Sequence, residues 1–490
     1  MSGAAEPKPF DVAIIGAGIG GLGLAIRLER AGIDDFVLLE RGDGVGGTWR
    51  HNTYPGATCD VPSHLYSYSF APNPHWTKTY AAQPEILAYL EDCADRFGIR
   101  PHLRTGVTVV GAEWSEASST WTVRCDDGTT VEAAVVVSAL GMLDQPKWPD
   151  IAGLDDFAGP LFHSARWDHD VELQDRRVAV IGTGASSVQI VPEVAPVASR
   201  TLLFQRSAPH VLPRRDEMFT DEQKALFATD RHAHRRLRAE IYRAFESATA
   251  FRLDDPTAAF IDATTREYLA RRVADDELRA KLTPDHPAGC KRVLISSGFY
   301  RTVVRDDVDV ITERIERIDA TGIQTTDGAH HDVDVIVLAT GFHAAEYLRG
   351  TEVVGRGGER LHDRWAGGAH AYLGMAVSGF PNLFLLYGPN TNQGGNSIIV
   401  ILEAQAAYVV RALKAMRRTG AAAVDVRPDV LRAYDEQIQA AMDGTVWTTG
   451  CNSYFTNDHG RVVTQLPHRS LWYWKRTLYF DPDDYDLTPA

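Results

Sequence analysis

Phe10-Asp11-Val12-Ala13-Ile14-Ile15-Gly16-Ala17-Gly18-Ile19-Gly20-Gly21 is the stretch that decides the fold. A short apolar run rich in β-branched residues meets Gly16-x-Gly18-x-x-Gly21. Leu22, Leu24, Ala25 and Leu28 then continue at helical spacing. Phe36 to Leu39 reads as a second strand and ends at Glu40, 24 residues after Gly16. Strand, glycine turn, helix, strand and acid form the context in which this fingerprint binds a dinucleotide. Gly16 makes the tight turn. Gly18 lets backbone approach a pyrophosphate, and Gly21 lets helix and strand pack closely. The helix N-terminus faces the phosphates. Glu40 can accept hydrogen bonds from ribose hydroxyls.

The pattern returns. Arg177 to Ile181 leads into Gly182-x-Gly184-x-x-Ser187, where Ser is still small enough for close packing. A strand from Thr201 to Gln205 follows, and the place of Glu40 is taken by Arg206. A guanidinium there suits a 2′-phosphate, which it can pair with through two bonds. The first site therefore reads as FAD or NAD and the second as NADP. The ends of the repeats match too. A hairpin turning at Asp127-Gly128 leads to a strand, Ala133 to Ala139, and Gly141. A turn at Asp327-Gly328 leads to Val333 to Leu338 and Ala339-Thr340-Gly341. The second repeat is longer, and Asp221 to Leu282, rich in Ala, Arg and Leu, reads as a helical insertion of two or more helices. Its basic run, Arg231 to Arg243, reads as a solvated helix face. Near the end come a helix, Ile398 to Met416, and an aromatic-rich tail, expected to complete the first domain.

Composition narrows the function classes. With 490 residues the chain is long enough for two or three domains. Its net charge of −15 argues against a general nucleic-acid binder or a binder of anionic membranes. Cys59, Cys93, Cys125, Cys290 and Cys451 are odd in number, scattered, and never in a C-x-x-C pair. That pattern argues against a disulfide framework, a dithiol redox centre and a zinc site, and no metal is expected. Met1 to Pro7 has no apolar signal core, and stretches such as Ala133 to Leu143 are too short to span a bilayer. The expectation is a soluble cytoplasmic protein with no obligatory protein partner.

Two dinucleotide sites in one chain need a chemical reason, and hydride transfer from NADPH to FAD supplies it. A second glycine-rich loop, Gly44-Val45-Gly46-Gly47-Thr48-Trp49, supports a flavin in the first site, because its amides can press on a pyrophosphate. Trp49 and Tyr54-Pro55-Gly56 offer flat surface beside a ring system. The fold class expected is α/β, with two Rossmann-like dinucleotide-binding domains and a helical insertion in the second. Residues 1–144 would begin the FAD-binding domain and 346–490 would complete it and add a mobile tail. Residues 145–213 and 290–345 would form the NADP-binding domain, interrupted by the insertion at 214–289.

Phe157-x-Gly159-x-x-x-His163-x-x-x-Trp167-Asp168 closely resembles the fingerprint of type I Baeyer–Villiger monooxygenases, and it lies just before the second glycine turn. Further matches run along nearly the whole chain. They include Gly46-Gly47-Thr48-Trp49, Tyr54-Pro55-Gly56-x-x-Cys59-Asp60, Cys290-Lys291-Arg292, Ala339-Thr340-Gly341-Phe342 and Gly388-Pro389-Asn390-Thr391-Asn392. The resemblance implies FAD in the first domain and NADPH in the second. It implies that reduced flavin takes up O2 as a peroxyflavin, which attacks a ketone carbonyl. The resulting tetrahedral peroxy intermediate rearranges to an ester or lactone. By motif position Arg292 matches the family's active-site arginine and Asp60 its acidic partner. Lys291 matches a contact to the NADP 2′-phosphate, and Tyr66 a flavin-contacting tyrosine. Val109, by its spacing before Trp114-Ser115-Glu116, is expected to place backbone against the adenine. His163 is expected to be structural.

Two departures touch the substrate side. Gly394-Gly395-Asn396-Ser397 stands where many relatives have Gly-His-Asn-Ser. Cys451-Asn452-Ser453-Tyr454-Phe455 stands where relatives commonly have Trp-Tyr. Three other readings stay in play. One is S- or N-oxygenation of the flavin-containing monooxygenase type. Another is a pyridine-nucleotide disulfide reductase, which needs a dithiol this chain lacks. The third is a flavin-binding protein without turnover.

Overall fold

The computed structural model describes residues 9–246, 251–450 and 453–489. Two sheets organise the chain. In the first, the strands lie in the order Glu352–Val354, Val109–Ser115, Thr120–Cys125, Thr130–Ser138, Phe10–Ile15, Phe36–Glu40 and Leu103–Thr105. Leu383–Leu385 also pairs with Thr130–Ser138. Phe10–Ile15 runs parallel to both of its neighbours. It is covered on both faces, so Val12, Ala13 and Ile14 are fully buried. That double burial explains an unbroken apolar run rather than an alternating one. The second sheet has the order Val308–Ile311, Arg200–Phe204, Arg177–Ile181, Val335–Leu338 and Leu161–His163, and every pair is parallel.

The two glycine turns leave equivalent places in the two sheets. Gly16 has φ +100°, and a Cβ on it would stand 2.8 Å from the carbonyl oxygen of Ala139. Gly182 has φ +113°, and a Cβ there would stand 2.4 Å from the carbonyl oxygen of Ala339. Each turn is thus roofed by the end of the neighbouring strand, and both constraints exclude a side chain.

The halves differ after their hairpins. In the first, Thr130–Ser138 is one strand of 9 residues inside the main sheet. In the second, Gly322–Thr325 and His330–Asp332 join Ile315–Asp319 in a separate sheet, and Val335–Leu338 starts afresh. The break falls at Asp334, whose carboxylate accepts the Arg177 backbone N–H at 2.8 Å and pairs with the Arg177 guanidinium. An aspartate occupied in that way cannot continue a buried strand.

Between Arg206 and Arg292 the described residues form four helices, Asp221–Thr229, Arg231–Glu246, Pro256–Arg272 and Asp276–Lys281. The basic run is only partly the solvated face expected. Arg231, Arg235, Arg236 and Arg243 are exposed. Arg238 points inward and donates to the carbonyls of His64 and Leu65 and to the Ser67 hydroxyl. Glu246, at the helix end, accepts from Asn396 and Ser470. The helix is therefore bolted to the loop after Asp60 and to the C-terminal part of the chain. Ile398–Thr419 packs on Ile19–Arg30, so the later chain does return to the first sheet. Cys59, Cys93 and Cys125 are free and buried. Cys290 is fully buried and disulfide-bonded. Cys451 and Asn452 of the tail motif lie outside the described residues.

Candidate active site between the two dinucleotide folds

One cavity of about 1480 Å³ reaches both glycine turns. From the first fold it is lined by Gly16, Gly18, Glu40, Gly47, Thr48, Trp49, Tyr66 and Val109. From the second it is lined by Gly182, Gly184, Arg206 and Lys291. Asp60 and Arg292 face the same space. Gly21 and Ser187, expected among the cofactor-binding residues, do not line it. A Cβ on Gly21 would stand 1.9 Å from the Gly16 carbonyl oxygen, and Ser187 is fully buried. Both act one layer below, where helix meets strand.

The walls fit two dinucleotides. The helices Ile19–Arg30 and Ala185–Val194 start at Gly18 and Gly184, and neither has a side-chain cap. Their first N–H groups are left for an outside acceptor, and the helix dipole favours an anion there. Glu40 is buried and divides its two oxygens between the Ala17 N–H at 2.7 Å and the Gly42 N–H at 2.8 Å. It thereby holds the glycine turn in shape, a task beyond the ribose contact expected of it. The Trp49 indole N–H donates to the Tyr66 hydroxyl at 3.0 Å, with the rings edge to face. In the second fold Lys291 donates to the Ser207 hydroxyl at 2.7 Å. Burial lowers the Lys291 pKa, and the nearby Arg206 lowers it further. Two cations held close enough to repel make a place for a dianion.

Arg292 is the charged centre of the cavity. Its Nε and Nη2 both donate to Asp60 Oδ2, at 2.9 and 2.5 Å. The Asp60 carboxylate raises its pKa further against the opposing effect of burial, so the guanidinium is permanently charged. Tyr387 and Tyr454 stand beside it. The Tyr387 hydroxyl donates to Asn392 Oδ1 at 2.6 Å.

His163 is fully buried, and its Nδ1 accepts the Ala165 N–H at 3.1 Å. Burial pushes its pKa down to about 4, so it is neutral and holds the backbone turn. Trp167 packs edge-on to Phe162. Neither His163 nor Trp167 lines the cavity.

Several cavity residues were not singled out from the sequence. Arg41 pairs with Asp144 through two bonds across the first fold. Ser207, directly after Arg206, anchors Lys291. Tyr387 immediately precedes the Gly388-Pro389 motif, and that adjacency was the signal available. Tyr454 was marked only as a departure.

Residues 13–216 match a family described as pyridine nucleotide-disulphide oxidoreductase. Over 98% of its length the chain is 42% identical to a Baeyer-Villiger monooxygenase of Streptomyces coelicolor, of which it covers 93%. Its fold is similar to a cyclohexanone monooxygenase from Rhodococcus sp. Phi1 bound to NADP+, with a TM-score of 0.90 and 29% identity. That match covers 99% of this chain and 100% of the other. It is also similar to the crystal structure of OTEMO in complex with FAD and NADP, with a TM-score of 0.89 and 28% identity. There the match covers 98% of this chain and 100% of the other.

Proposed function

Because the chain belongs to the Baeyer–Villiger monooxygenase family, we propose that the Arg292–Asp60 pair is the electrostatic centre at which it turns a ketone into an ester or lactone. The enzyme is an FAD-containing, NADPH-dependent monooxygenase. One ketone, one O2, one NADPH and one proton give one ester or lactone, one water and one NADP+. Bound FAD supplies hydride acceptance from NADPH and the activation of O2.

The chain's own residues have separable tasks. The Gly16–Gly18 turn, Glu40, Gly47, Thr48, Trp49, Tyr66 and Val109 would hold FAD. The Gly182–Gly184 turn would hold the NADP pyrophosphate, and Arg206 and Lys291 its 2′-phosphate. The carbonyl oxygen gains negative charge as a new carbon–oxygen bond forms at its carbon. Arg292 stabilises that charge without giving up a proton, because a guanidinium stays charged at any working pH. Asp60 keeps the guanidinium aimed. Among the described residues no helix is long and apolar enough to cross a membrane, and small molecules are the only reactants this reading needs. The domain division expected from the sequence, with the first sheet serving FAD and the second NADP, belongs to the same proposal.

The observation that carries the reading is the Arg292–Asp60 pair inside a cavity shared by two uncapped glycine turns. A direct test gives the FAD-loaded enzyme NADPH, 18O2 and a panel of cyclic, aryl and linear ketones, with a thioether alongside. Esters or lactones carrying one 18O are expected. Sulfoxide as the sole product would move the enzyme to heteroatom oxygenation. Arg292→Ala is expected to abolish ester formation while FAD stays bound, and retained ester synthesis would remove Arg292 from the mechanism.

A further inference from the structure

Arg292 has a second neighbour of consequence. Asp60 uses Nε and Nη2, both through one carboxylate oxygen. The Tyr454 phenol stands beside the same guanidinium, in the same cavity. A guanidinium can only donate, so it cannot take the phenol O–H, which is still available. Among the described residues no acceptor takes that O–H. Tyr387, the other phenol beside Arg292, has already committed its O–H to Asn392. Tyr454 is 37% exposed, and it lines the cavity with Arg292, Tyr387 and Asn392. Its ring packs edge-on against Phe455, with centroids 4.5 Å apart. The protein packed around its hydroxyl end pushes its pKa up, with Arg292 opposing, so the phenol is a neutral donor at working pH.

We propose that Tyr454 is a catalytic residue of the ketone site, whose O–H donates to the substrate carbonyl oxygen beside Arg292. The proposal rests on the ketone-oxidising function set out above and adds a residue to it. The carbonyl then lies between a cation fixed by Asp60 and a neutral donor.

The first readout is spectroscopic, on a bound ketone that is not being turned over. The ketone with the lowest KM in the panel is prepared with a 13C-labelled carbonyl and bound to the oxidised enzyme with NADP+. The infrared carbonyl band is then recorded. In the wild type the band is expected at lower frequency than for the same ketone in an apolar solvent. In Tyr454→Phe it is expected to move back up. Tyr454→Gln, whose amide both accepts and donates, is expected to recover part of the shift. In turnover Tyr454→Phe is expected to lower kcat for the ester by about 100-fold, the scale of losing one oxyanion donor. The rate of flavin reduction by NADPH and the KM for NADPH are expected to stay as in wild type.

A wild-type band no lower than in the apolar solvent overturns the proposal without any variant. So does an identical band in wild type and Tyr454→Phe. A raised KM for NADPH, with the ester yield per NADPH unchanged, would make Tyr454 a nucleotide contact instead. Failure of the function itself looks different, because wild type would then oxidise no ketone in the panel.

Discussion

Asp60 meets Arg292 across 232 positions of sequence, through one oxygen that receives two N–H groups. Nothing in composition or spacing joins them. Only the motifs around each residue brought them together, because contact between distant segments is a tertiary event. The pair makes a definite prediction. Asp60→Asn keeps the shape and a hydrogen-bond acceptor but removes the counter-charge, so Arg292 loses its aim. Ester formation is expected to fall by about 100-fold, on the scale of a lost transition-state contact, while the FAD content per protein is unchanged. Steady-state kinetics with flavin quantification checks both halves. Arg206 is testable in the same way. It is exposed and lies within repulsive range of Lys291. Arg206→Ala is expected to raise the KM for NADPH by about 10-fold, one charge-assisted contact, and to leave the KM for NADH alone. An equal effect on both coenzymes would take Arg206 out of the 2′-phosphate site.

The helix Arg231–Glu246 shows what periodicity reads and what it misses. Its length and charge were legible, and so was its solvated side. The role of Arg238 was not, since an arginine that binds buried carbonyls has the same letter as one in water. Beside Arg238, His64 Nδ1 and His234 Nε2 lie 2.8 Å apart in a buried contact. Phe219 and Phe227 are edge-on to His64. Burial first, then His234 and Arg238, push the His64 pKa down to about 3. Burial and Arg238 also lower that of His234. Both groups are neutral when folded and take up protons near pH 6.5 when unfolded. The unfolded chain therefore binds more protons between about pH 3 and 6.5, so stability rises with pH across that window. The contribution is fully present above pH 6.5 and is lost on acidification, by up to ~1.4 kcal/mol per pH unit per histidine. The melting temperature is expected to drop between pH 7 and pH 5, and His64→Gln to flatten that drop. An unchanged slope in His64→Gln would place the acid sensitivity elsewhere. Arg238→Ala is expected to destabilise the protein by ~2 kcal/mol, as the acceptors at His64, Leu65 and Ser67 lose a charged donor. FAD should then dissociate faster, because this loop follows Asp60 and carries Tyr66.

At the scale of the molecule the repeat was the most legible feature, and steric constraint is the reason. Each glycine turn has to pass under a strand-end carbonyl at positive φ, so the same letters recur wherever that geometry recurs. The second hairpin was read as a copy of the first, and it separated into its own sheet because Asp334 was needed by Arg177. The tail was less legible still, since Tyr454 acquires meaning only from the guanidinium it meets. The repeat also implies a division of labour that a matched pair of substitutions can test. Gly16→Ala and Gly182→Ala are chemically the same change. Each puts a methyl group at positive φ and close to a carbonyl oxygen, at 2.8 Å for Gly16 and 2.4 Å for Gly182. Each should distort its own turn by a similar amount. Their consequences should nevertheless part. Gly16→Ala is expected to be purified with little flavin, and adding FAD should restore little of it. Gly182→Ala is expected to keep its flavin but to be reduced by NADPH at least about 10-fold more slowly, the loss of one well-placed pyrophosphate contact. Dithionite should still reduce it fully. Flavin absorbance per protein and anaerobic reduction rates distinguish the two outcomes. Loss of flavin from Gly182→Ala, with Gly16→Ala retaining it, would exchange the two sites and overturn the assignment of FAD to the first fold.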